Sequence, residues 1–238
     1  WFPCSCCPPN LARTIESIAG YAFSADEHSL NVHLYIGGEL NVDLGGQKVS
    51  LKISTGYPWS GVVTVDVLSA GDTALKLRKP GWCPNFSVKR NGHPVEPVLE
   101  KGYIVLPGPW SEGDRIELDF DMPVQMVRAN PHVKEDIGKL AVTRGPLVYC
   151  LEQADNGAEL HRLAVHPGAE FAASWESELL GGVVALSCEG LRLAEEQDAL
   201  YVPATSPLAA RACTLKWIPY YAWTNRAPGE MRVWVLER

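Results

Sequence analysis

From Asn31 onward, apolar residues recur at every second position in short runs, and this alternation restricts most of the chain to half-buried β-strands. Val32, Leu34 and Ile36 alternate, as do Val49, Leu51 and Ile53, and then Val63, Val65 and Val67. Gly45-Gly46, Gly56-Tyr57-Pro58 and Ala70-Gly71-Asp72 interrupt the runs with turn residues. Asn91-Gly92, between Phe86-Ser87-Val88 and Val95, is the dipeptide that a tight hairpin selects. Further strands are expected at 73–78, 102–106 and 114–121. Short strands in close succession, with no helix between them, build a sandwich.

A second series follows Arg128-Ala129-Asn130-Pro131, with strands expected near 139–144, 146–152, 158–165, 182–188, 211–217 and 230–236. Loops are expected at 153–157 and 189–210. We place a boundary near residue 128, giving β-sandwich domain I over 29–128 and β-sandwich domain II over 129–238. At 238 residues and 46% apolar, the chain has enough material for two cores.

Residues 1–28 depart from this pattern. Leu11, Ile15, Ile18, Ala19 and Ala22 follow helical spacing, and Pro8-Pro9 suit the first helical positions, where the backbone donors are unpaired anyway. Immediately before them stand Cys4, Cys6 and Cys7, three of the seven cysteines within four residues. The unpaired N–H groups and the positive dipole end at a helix entrance favour a thiolate, which is both a nucleophile and a metal ligand. Adjacent cysteines also suit a strained vicinal disulfide, or burial as small apolar residues.

A net charge of −7 leaves no basic surface for nucleic acid, and no run of about 18 uncharged apolar residues crosses a membrane. The odd, clustered cysteine set does not form a disulfide framework and points to a cytoplasmic location. Cys83, Cys150, Cys188 and Cys213 fall in or beside strand-like segments and are expected in the core. Trp59, Trp82, Trp110 and Trp223 sit near turns, where an aromatic could stack on a sugar; the structural role is the one expected. The six histidines show no metal-ligand spacing, and no serine or glutamate constellation marks a nucleophile–base site. The segment from Tyr220 to Arg226 is expected to pack against another domain.

Cys4-Ser5-Cys6-Cys7-Pro8-Pro9-Asn10 leading into a helix resembles the cysteine motif of glycoside hydrolase family 127, whose type member is a β-L-arabinofuranosidase. The resemblance continues through Leu77-Arg78-Lys79-Pro80-Gly81-Trp82, Gly102-Tyr103, Trp110 and Gly113-Asp114. It extends to the stretches from Ala141 to Tyr149 and from Ile218 to Arg226.

The resemblance implies that residues 1–28 close an (α/α)6 catalytic barrel, and that the chain is the C-terminal portion of a larger enzyme whose barrel is a missing partner of the two sandwiches. It implies a Zn²⁺ held by three cysteines and one glutamate, with Cys6 and Cys7 among the ligands. Cys6 would also be the nucleophile of a retaining hydrolysis of arabinofuranosides, and Cys4 would pack beside the site. The acid/base glutamate, the glutamate ligand and the third cysteine would come from the barrel, so the chain alone would be inactive. Two other readings stand beside this one: a non-catalytic carbohydrate-binding module, and a scaffold or homodimer surface.

Overall fold

The computed structural model describes residues 6–194 and 201–238, so Cys4 and positions 195–200 of the expected loop 189–210 lie outside the described residues. The chain divides into two compact units between Met122 and Pro123. The first unit holds α1 (Cys7–Ala22), β1 (Phe23–Ala25), β2 (Ser29–Val32), β3 (Gly38–Leu44), β4 (Gln47–Thr55), β5 (Val62–Val67), β6 (Ala74–Arg78), β7 (Phe86–Arg90), β8 (His93–Pro94), β9 (Val98–Glu100), β10 (Tyr103–Leu106) and β11 (Arg115–Phe120). The second holds β12 (Val124–Val127), β13 (Lys139–Arg144), β14 (Leu147–Glu152), α2 (Gln153–Asn156), β15 (Leu163–Val165), β16 (Ala172–Glu176), β17 (Val183–Leu193), β18 (Ala210–Pro219), β19 (Met231–Arg232) and β20 (Val235–Glu237).

The first unit is a sandwich. One sheet runs β1-β2-β6-β10-β9 and the other β3-β4-β5-β11-β7-β8. Alternating residues from both sheets share one core: Leu30, Leu75 and Ile104 from the first, and Leu51, Val65 and Ile116 from the second. Each such side chain withdrawn from water contributes about 1.5–3 kcal/mol, which is why the period-2 pattern fixes the register. The hairpin at Asn91-Gly92 forms as expected, with φ of 52° and 79°, both in the left-handed region that this dipeptide tolerates.

In the second unit a single nine-stranded sheet curls over its core, because its pairings return on themselves: β13-β20-β15-β17-β18-β14 and back to β13. Leu140, Tyr149, Leu163, Leu186, Leu215 and Trp217 fill the interior. No helix among the described residues is long and apolar enough to cross a membrane.

Several boundaries differ from expectation. The units part ahead of residue 128 because β12 pairs with β13, Val127 opposite Ala141, and so belongs to the second unit. The alternating run at 32–36 is no single strand, since the amides of His33 and Leu34 both turn to the Ala22 carbonyl and leave Leu34 and Ile36 exposed. Within 158–165 only β15 is extended, because the Glu230 carboxylate accepts the N–H groups of Glu159 and Leu160 and holds a tight turn there. The expected loops are shorter than predicted: 153–156 is helical, β17 continues to Leu193, and β18 begins at Ala210.

Candidate functional site

The cysteines stand at the start of α1. Cys6 caps the helix with φ −71° and ψ −38°, and Pro8 follows in the first turn, where its missing N–H removes no helical bond. The Asn10 amide closes the first turn on the Cys6 carbonyl at 3.3 Å, and the Thr14 hydroxyl donates to the Asn10 carbonyl at 2.9 Å. Cys6 and Cys7 are both exposed, with their sulfurs 3.5 Å apart. That gap is far beyond the roughly 2.05 Å of a disulfide, and the two thiols stand unbridged in this structure.

Neither thiol is covered by the described residues of this chain. Two sulfurs bound at about 2.3 Å to one tetrahedral Zn²⁺ stand about 3.8 Å apart, so the observed spacing fits a shared soft metal with little adjustment. Among the described residues no group of three or more His, Cys, Asp or Glu side chains gathers to complete such a site. The helix presents a second uncovered feature: Leu11, Ile15 and Tyr21 are each more than 60% exposed, and Ala22 alone is buried along α1.

The four cysteines in or beside the strand segments are structural, as expected. Cys83, Cys150 and Cys188 are buried and Cys213 is half-buried. Burial pushes all four thiols up, Cys150 to about 12, so none is a thiolate at neutral pH.

The aromatic residues divide. Trp110 is buried and donates its indole N–H to the Thr73 carbonyl at 2.8 Å, while Trp82 packs against Tyr57 and Phe120. Trp59 and Trp223 are half-buried. The segment from Tyr220 to Arg226 is tied down within its own unit. Glu152, 2% exposed, accepts the Thr224 amide at 2.7 Å and the Arg226 guanidinium, which also pairs with Asp155. Tyr220 and Tyr221 are exposed in this chain.

Sequence reasoning missed two arrangements. His33 bridges the Ser24 hydroxyl, 2.8 Å from Nε2, and the Tyr103 hydroxyl, 2.7 Å from Nδ1, across a span of 70 residues that no local spacing reports. Trp175 is exposed on β16, a strand whose polar and small residues gave no alternating signal.

Comparison with known proteins places these features in context. Residues 29–122 match the family model described as "Beta-L-arabinofuranosidase, GH127 middle domain", and residues 124–236 match the "Glycoside hydrolase family 127 C-terminal domain". A non-reducing end β-L-arabinofuranosidase of Bifidobacterium longum subsp. longum is 39% identical over 246 residues, which cover 98% of this chain and 37% of that protein. A crystal structure of a GH127 β-L-arabinofuranosidase from Geobacillus stearothermophilus T6 superimposes with a TM-score of 0.94 at 43% identity, over 100% of this chain and 38% of the other. A second solved GH127 β-arabinofuranosidase gives 0.91 at 32% identity, over 100% and 39%. The chain thus spans under two-fifths of the length of each of these relatives.

Proposed function

The chain belongs to glycoside hydrolase family 127, and from that footing we propose that it forms part of a zinc-dependent retaining glycosidase that releases β-L-arabinofuranose. One observation carries the reading: two exposed thiols lie side by side at a helix entrance, 3.5 Å apart. Zn²⁺, when bound there, keeps coordinated thiols ionised at neutral pH.

Cys6 is the nucleophile. Its sulfur attacks the anomeric carbon, a C–S bond forms as the glycosidic C–O bond breaks, and the leaving oxygen takes a proton from a carboxylic acid. Water then displaces the sulfur from the opposite face, so two inversions give net retention. Cys7 remains a metal ligand throughout. The acid/base carboxylate, the glutamate ligand and the third cysteine ligand are assigned to the remainder of the protein. Within this account the two β-units supply no reacting group.

Expression of the whole protein decides the matter. Hydrolysis of a β-L-arabinofuranoside that disappears in Cys6→Ser supports the nucleophile, and hydrolysis that persists in that variant removes it.

A further inference from the structure

Within the first unit, the outer face of the five-stranded sheet carries a serine, a histidine and a tyrosine that the cysteine chemistry does not use. Leu30, Val32 and Ile104 point into the core, so strand alternation turns Asn31, His33 and Tyr103 outward, and Ser24, paired with Asn31, joins them. His33 Nε2 lies 2.8 Å from the Ser24 hydroxyl, and Nδ1 lies 2.7 Å from the Tyr103 hydroxyl. A hydroxyl within hydrogen-bond reach of an imidazole, itself oriented by a third group, is the arrangement that activates a nucleophile.

The imidazole is held on several sides. The His33 amide donates to the Ala22 carbonyl at 2.8 Å, and its ring meets the Tyr103 ring edge-on with centroids 5.7 Å apart. Asn31 Nδ2 donates to Ser24 Oγ at 3.2 Å. Of the two neutral tautomers, the one with its proton on Nδ1 gives the Ser24 proton an acceptor within the cluster, at a bare Nε2, while Nδ1–H donates to the tyrosine oxygen. In that state Nε2 is a base for the serine proton. Ser24 is exposed, whereas His33 and Tyr103 are half-buried, so the hydroxyl meets solvent in front of a fixed ring.

Donors for a developing oxyanion stand beside Ser24. Asn31 Nδ2 is one. The second is the Ala25 amide. The bonds from the His33 amide to Ala22 and from the Asp26 amide to Ser29 set the antiparallel pairing, which turns the Ala25 N–H away from β2. Among the described residues β1 is the outermost strand of its sheet, so that N–H faces an open edge.

We propose that Ser24, His33 and Tyr103 form an esterolytic site for carboxylic esters, an activity beyond the glycosidase reading that needs no metal. Ser24 Oγ bonds to the ester carbonyl carbon as Nε2 takes the serine proton; the C–O bond to the alcohol breaks, and the alcohol leaves with that proton. Water then attacks the acyl-serine and gives a proton to Nε2. The acid departs as the serine recovers its proton, so ester and water become acid and alcohol. Tyr103 is a positioning residue. Its neutral phenol stabilises an imidazolium less than a carboxylate does, so turnover is slow.

The test uses the 238-residue chain with Cys6→Ser and Cys7→Ser, which removes the exposed thiols that also accept acyl groups. It is treated with a fluorophosphonate and, separately, with 4-nitrophenyl acetate. Peptide mass spectrometry should find the phosphonate on Ser24 about a hundredfold faster than on Ser17, an exposed serine whose hydroxyl donates to the Arg13 carbonyl. Ester hydrolysis should disappear in Ser24→Ala and fall about a hundredfold in His33→Gln and about tenfold in Tyr103→Phe. Labelling of Ser24 no faster than Ser17, or hydrolysis unchanged in a folded His33→Gln chain, overturns the proposal. The comparison with Ser17 needs no variant of the site, so it decides even where a substitution unfolds the chain. With both cysteines replaced in the protein tested, a negative result here leaves the glycosidase reading untouched.

Discussion

The Arg90 guanidinium donates to the Asp114 carboxylate at 2.7 Å while lying 4.1 Å above the Trp110 ring, so one cation closes a polar knot and covers a core indole. Asp114 also accepts the Asn91 side chain and the Ser111 amide. The Asn91 bond, the Ser111 bond and Arg90 together hold its carboxyl well below the usual range, at about 2. The knot secures the Asn91-Gly92 hairpin to the start of β11.

A folded-state pKa below the unfolded value of about 3.9 means that this stabilisation is complete above that value and is lost as pH falls toward 2. Asp114→Asn should destabilise the chain by about 1–3 kcal/mol at pH 7 and flatten its stability profile between pH 4 and 2. Urea denaturation across that range checks both; an acid limb as steep as the parent's contradicts the assignment.

Glu152 and Arg226 form the corresponding lock in the second unit, with the carboxylate 2% exposed. Removing the cation leaves the buried Glu152 carboxylate without its counter-charge, near Asp155, a second anion that shares the same guanidinium. Arg226→Met should therefore cost about 3–5 kcal/mol, and adding Glu152→Gln should recover part of that loss. Denaturation midpoints of the single and double variants decide it, and a double variant less stable than Arg226→Met would contradict the pairing.

Thiol chemistry separates the exposed pair from the buried set. Native-state alkylation near pH 8, read by peptide mass spectrometry, should modify Cys6 and Cys7 first and leave Cys83, Cys150 and Cys188 intact until denaturant is added. Early modification of Cys150, whose thiol burial raises to about 12, would contradict the packing of β14.

The sequence reveals elements whose pattern is set by local burial. Val49, Leu51 and Ile53 alternate because β4 has one face in the core, and Lys139–Arg144 falls where the periodicity predicts it. What escaped notice depends on partners distant in sequence. β12 is a strand because β13 pairs with it, and β16 because β17 does, while their own residues carry no strong alternation. The cysteine pair was visible as a motif and as a helix entrance, since both are local. The lock between Glu152 and Arg226 spans 74 residues, and the packing of Trp175 on Gly182 depends on a left-handed backbone that composition does not announce.

The central claim concerns Cys6 and Cys7, and zinc content measured together with turnover tests it most directly. In the whole protein, the account predicts stoichiometric zinc and hydrolysis of a β-L-arabinofuranoside, with Cys6→Ser abolishing hydrolysis and Cys7→Ser losing the metal. A protein without zinc that still hydrolyses the substrate, or one whose turnover survives Cys6→Ser, would contradict it.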